Sequence, residues 1–296
     1  HPEQNMDFDT FLDQAWTDHA TQPAAVARTL QDEGLQRVTD SGQLASVAHL
    51  AHHVFGAHLS RWQEGVEFQR QLAALPCCTA GSNEALTIGR HISALRLAGD
   101  LGDDRVGAGM SDRIRLSALA AINLAEHDAN RAASLLQEAL DLAAGAELPD
   151  TDPVHRALAV AGNNIAGTLE EVPELTAEAG RLMILAAQTG RRHWAIAGTW
   201  LETERAEYRL AMSWLKAGDV VQARQHAQNC LEILAANQGP ALEQFFGWEA
   251  LGLVERRACN DTGHAHALAQ AELAFQDLAD SDRGWCQASL DKLKTV

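Results

Sequence analysis

From Met6 to the C-terminus apolar residues recur at offsets of three and four, and no run alternates apolar with polar residues between turn signals. The first pattern buries one face of a helix, whereas a half-buried strand requires the second. Ala132, Leu135, Leu136, Ala139, Leu142 and Ala143 form one such stripe. Similar stripes fill the chain, so the fold class they predict is all-α.

The seven prolines fall before, between or at the starts of the stripes, where a missing N–H and a fixed φ cost a helix little. The stripes predict helices over 7–20, 23–38, 42–58, 61–75, 82–98, 112–127, 130–146, 153–169, 173–188, 192–216, 219–236, 240–258, 264–279 and 282–294. Ser41, Asn83, Ser111, Asp112, Asn130, Thr151, Asp152, Gly218, Asp219, Gly239 and Gly263 read as caps and turns at the joints. The glycine-rich stretch 99–110 reads as a loop or a shrunken helix.

Charge narrows the partners. Lys and Arg number 23 against 40 Asp and Glu, a net charge of −17, so the long-range field repels phosphate backbones and anionic headgroups. Neither a nucleic acid nor a membrane is expected as a partner. No apolar run approaches the length of a membrane span, and no basic-then-apolar leader is visible, which predicts a cytoplasmic protein. The five cysteines include no CxxC pair, and reduced thiols are expected, with the adjacent Cys77 and Cys78 closing a helix. His1–Asn5 precede Met6 and are set aside as an appended remnant, leaving 6–296 as a single domain.

Small residues also recur inside successive helix pairs. In 210–230, Ala211 is followed by Trp214, a Gly218–Asp219 turn, then Ala223, Ala227 and Cys230. Leu119, Ala120, Asn123, Ala132, Leu136 and Ala139 repeat that spacing. Helices approach closely only where side chains are small, and a large neighbour fills the groove between ridges. Anchors at Ala51, Gly89, Ala120, Gly162, Ala211 and Gly252 lie 38, 31, 42, 49 and 41 residues apart.

This pattern resembles the tetratricopeptide repeat, whose own period is about 34. The resemblance implies a right-handed α-solenoid of antiparallel hairpins. Atypical helices would occupy 6–40, repeats 41–279 and a capping helix 280–296. The long, variable period, together with Phe275, Leu278, Asp282, Arg283, Gly284 and Trp285, is similar to the bacterial sensor and regulator branch of such proteins.

In that family a concave groove lined by the first helix of each hairpin holds an extended peptide. Projected onto this chain, the groove positions are Arg156, Asn163 and Ala166 from one hairpin and Tyr208, Met212, Leu215 and Lys216 from the next. Gly162–Asn163 matches the asparagine of carboxylate-clamp members, but the lysine expected four residues earlier is Ala159, so the clamp is incomplete. The alternative is that Asn163 and Asn164 bond neighbouring turns. Arg191, Arg192, Arg205, Arg209 and Lys216 interleave with Trp194, Trp200, Tyr208 and Trp214, a combination that suits an acidic or aromatic-bearing peptide. Against this, tryptophans at helical spacing commonly fill gaps in a core. Glu170 with Glu171, and Glu202 with Glu204, read as solvated faces.

His49 and His53 stand one turn apart beside His52 and His58. Two zinc ligands have that spacing in HExxH proteases, but residue 50 is Leu, the glutamate is missing, and the sequence offers no assignable third ligand. His264 and His266, near a helix start, read as cap or solvent contacts. Nucleotide-binding glycine loops and a GxSxG nucleophile turn are not found.

The function expected is therefore a non-catalytic scaffold for a protein or peptide, an adaptor or regulatory sensor without a cofactor, with a homodimer compatible. One alternative is a signal-peptide or small-molecule receptor of a bacterial regulator hinged at 99–110. The other is a metal-dependent enzyme built on the His49/His53 helix.

Overall fold

Polar caps mark where most helices of this chain begin. Asp7, Asp40, Ser82, Asp128, Asp152, Thr176, Thr199, Asp219 and Asn260 each accept a backbone N–H from the first turn that follows, satisfying a donor that the helix cannot. The computed structural model describes residues 7–295; residues 1–5, expected to be an appended remnant, lie outside them, as do Met6 and Val296.

The described residues form fourteen α-helices and no strand: α1 (Phe8–Asp18), α2 (Pro23–Thr29), α3 (Ser41–His52), α4 (Trp62–Ala73), α5 (Asn83–Ala98), α6 (Met110–Leu124), α7 (Ala129–Gly145), α8 (Pro153–Glu170), α9 (Ala177–Ala197), α10 (Trp200–Ala217), α11 (Val220–Ala236), α12 (Ala241–Arg257), α13 (Asp261–Gln276) and α14 (Asp280–Lys294). Two of them continue as π-helix, α2 through Leu30–Gly34 and α3 through His53–His58. Among the described residues no helix is long and apolar enough to cross a membrane.

The chain divides into two units, residues 1–147 and 148–296. In the first, α4 pairs with α5 and α6 with α7, while α3 reaches both α4 and α5. Its core gathers Phe11, Leu30, Leu44, Leu50, Phe55, Leu72 and Ile88. In the second, α8 packs on α9, α10 on α11 and α12 on α13, and the next-but-one helices α8, α10, α12 and α14 also touch in sequence. Phe245, Ala271, Leu278, Cys286, Leu290 and Leu293 form its C-terminal core.

Most small-residue anchors do what their spacing predicts. Ala51, Ala120 and Ala211 are fully buried. A methyl group on Gly162 would lie 2.4 Å from the Ala186 carbonyl oxygen and 2.5 Å from the Gly190 nitrogen, so α8 and α9 cross backbone to backbone. Gly252 likewise abuts Leu293. Gly89 is the exception: it is exposed and faces open space, and Ile88 carries the core contact of α5 instead.

The largest displacement of a predicted boundary lies between α9 and α10. The break expected between 188 and 192 falls at Gly198–Thr199. Gly190 imitates a turn signal in the sequence, but its missing side chain serves the crossing with Gly162. The true start of α10 is a capping box, Thr199 with Glu202. The stretch 99–109 is a loop as expected, and it is pinned: Arg96 pairs with Asp104, and Arg105 with both Asp103 and Glu138 while also donating to the Ser117 hydroxyl.

Candidate functional site

Helix α10 carries most of the residues that sequence reasoning assigned to a groove, and each arginine on it is already matched to a glutamate. Arg209 pairs with Glu170 of α8 and donates to the Asn163 Oδ1 at 3.4 Å, and Ser213 donates to Glu170 at 2.6 Å. Arg205 pairs with Glu243 of α12. Glu207 receives Arg191 of α9 at 2.6 Å and His226 of α11 at 2.6 Å. Three cations of the basic stretch, Arg191, Arg205 and Arg209, are therefore spent in helix-to-helix ion pairs.

The paired glutamates answer to two opposing forces. Burial raises the Glu170 carboxyl above its ordinary range, with Arg209 pulling the other way. Burial would do the same to Glu207, but hydrogen bonds from His226 and Arg191 bring it below that range. Glu204, expected on a solvated face, is instead 1% exposed. Its Oε1 accepts from the Cys230 thiol at 2.9 Å, its Oε2 has no hydrogen-bond partner, and burial lifts it to about 7. Glu170 is also part-buried, while Glu202 is spent in the α10 cap. Glutamates i and i+2 on a helix point to different faces, which is why the pair 202/204 separates.

The other projected positions scatter. Asn163 accepts from the Arg209 side chain of α10, Asn164 is exposed, and position 159, where a carboxylate clamp would need lysine, is a buried alanine. Ala166 is fully buried, and Met212 and Leu215 pack against the unit's cores. Arg156 is exposed and lies over the Trp194 ring at 5.4 Å. Lys216 is exposed and donates to the Pro173 carbonyl oxygen at 3.4 Å.

Arg205 and Tyr208 do meet at a pocket. With Glu204, Leu242, Glu243, Phe246 and Trp285 they line a largely apolar recess of about 240 Å³ between α10, α12 and α14. Phe246 stands edge-on to Tyr208 at 5.9 Å and stacks on Trp285 at 5.3 Å. The Tyr208 hydroxyl donates to Glu249 at 3.3 Å. Trp285 remains 57% exposed, and the Arg205 side chain 59% exposed although its partner Glu243 is buried. An open guanidinium edge thus sits beside an aromatic wall. Sequence reasoning did not place Phe246 or Glu243 here, because neither belongs to a period that marks it. Trp285 was visible only as part of a repeat-like ending.

The histidines of α3 form a second cluster, in the first unit. His52 is buried, stacks on His91 at 4.4 Å and meets the Asn123 amide at 3.1 Å, which makes it a core residue. His49 and His53 both lie against Trp16, at 5.6 and 5.8 Å. His53 does not pair with His49 but with His58, Nε2 to Nε2 at 3.1 Å, and His19 joins these two, with one ring nitrogen from each within 4.8 Å of the others. On a 3.6-residue helix, positions five apart diverge by about 140°. The π-helical turn, marked by the Leu59 N–H bonding to the Val54 carbonyl at 3.1 Å, brings them onto one face. His264 Nδ1 donates to the Gly252 carbonyl oxygen of α12 at 2.9 Å, a bond between helices, while the cap of α13 is Asn260 and not a histidine.

No family model, curated protein or solved structure matches this chain.

Proposed function

We propose that the chain is a non-catalytic recognition scaffold of tetratricopeptide-like hairpins, stacked as a right-handed solenoid, that binds an extended peptide through its α10–α12–α14 recess. The observation that carries this reading is the exposed Trp285 stacked on Phe246 beside the half-open Arg205. Large aromatic surface left in water at a concave apolar site marks recognition more often than packing. A recess of about 240 Å³ takes one side chain, and lies below the range of about 300–1,000 Å³ common for sites that enclose a small molecule. The ligand chemistry is accordingly an aromatic or long aliphatic anchor with a carboxylate beside it for the free edge of Arg205.

Selection of random peptides on the full chain tests this reading. Enrichment of an aromatic residue flanked by Asp or Glu is expected. It should vanish when the selection is repeated on Trp285→Ala. Enrichment of basic or featureless sequences, or identical pools from the two proteins, contradicts it.

A further inference from the structure

Three imidazoles converge in the first unit with no carboxylate or peptide group satisfying them jointly. His53 and His58 bound the π-helical turn of α3, and His19 caps the C-terminus of α1. Their ring centroids lie 4.6, 5.2 and 5.2 Å apart, and one nitrogen from each falls within 4.8 Å of the others. We propose that His19, His53 and His58 form a binding site for a single divalent transition-metal ion of the zinc type, leaving one coordination position open.

Geometry supports the assignment. Two imidazole nitrogens on a tetrahedral zinc, each at about 2.0–2.1 Å, are about 3.3 Å apart; His53 Nε2 and His58 Nε2 are 3.1 Å apart. One ring nitrogen of His19 lies within 4.8 Å of the nitrogens of the other two. His19 Nδ1 lies against the Trp16 carbonyl oxygen, an acceptor that requires the proton on Nδ1 and leaves the Nε2 lone pair for a metal, the outer-contact arrangement typical of histidine ligands. His127 bonds the Ala57 carbonyl at 2.7 Å, tethering the π turn from the α6–α7 connection. Trp16 walls one side, against His19 at 5.0 Å and His53 at 5.8 Å. An all-imidazole donor set suits zinc, copper, nickel or cobalt and not calcium or magnesium.

The full chain, stripped with a chelator and dialysed, is titrated with Zn(II), and its Co(II) absorption is recorded. One equivalent of saturable Zn(II) uptake, a tetrahedral-type Co(II) spectrum and a raised melting temperature are expected. His19→Ala, at a helix end, and His58→Ala should each weaken uptake at least tenfold. His264→Ala, in the other unit, should leave it unchanged. Absence of saturable uptake by the wild type, a Co(II) spectrum of the hydrated ion, or uptake undiminished by both substitutions overturns the proposal.

Discussion

Gly162 and Gly89 are the same residue type on two helices, and the structure gives them opposite consequences. A methyl group at 162 would collide with the backbone of α9 at 2.4 and 2.5 Å, whereas nothing lies within 4 Å of one at 89. Gly162→Ala is therefore expected to destabilise the protein by about 2–4 kcal/mol, since backbone cannot yield as a side chain can. Gly89→Ala should stabilise by about 0.5–1 kcal/mol through helix propensity and reduced unfolded-state freedom. Urea unfolding of the two variants measures both. Glu204 belongs to this scale as well. Its carboxyl titrates near 7 when folded, against an ordinary value of 4.5. Folding is thus unburdened below about pH 4.5, and the cost of ionising the buried group develops as pH rises toward 7. Glu204→Gln should melt like the wild type near pH 5 and be more stable by about 2 kcal/mol at pH 8. Parallel pH dependence of the two melting curves would refute the assignment.

Helices were legible in the sequence because the apolar period is strong and nearly every connection holds a residue with a stop or start function. Boundaries failed where one residue type has two uses: Gly190 looks like a turn and acts as a crossing point, and the capping box at Thr199 and Glu202 lies inside what reads as one continuous stripe. Contacts between helices were not legible. The arginines of α10 look like a basic surface until Glu170 of α8 and Glu243 of α12 are brought against them from two sides. Removing one partner leaves a buried charge, so Arg209→Met is expected to cost about 2–4 kcal/mol at neutral pH, and the double variant Arg209→Met, Glu170→Gln should recover much of it. Thermal unfolding of the complete double-mutant cycle checks this; additive losses would mean that the pair is not coupled.

At the scale of the molecule, the all-helical class was readable from periodicity alone, but the division at residues 147 and 148 was not, because hairpin spacing continues across it. Half of the proposed recess was readable too. Arg205 and Tyr208 were flagged on α10, while Phe246 and Trp285 come from α12 and α14 and meet them only through folding. Each unit contains a core drawn from its own helices. A fragment spanning 148–296 is accordingly expected to retain helical circular dichroism and a cooperative melt when produced alone; a non-cooperative, largely unfolded fragment would count against that. Recognition at the α10–α12–α14 recess is the central proposal for this protein. Hydrogen–deuterium exchange of the full chain, with and without a selected aromatic and acidic peptide, tests it directly. Protection confined to 200–217, 241–257 and 280–294 is the predicted footprint, and protection that spares those three helices would contradict it.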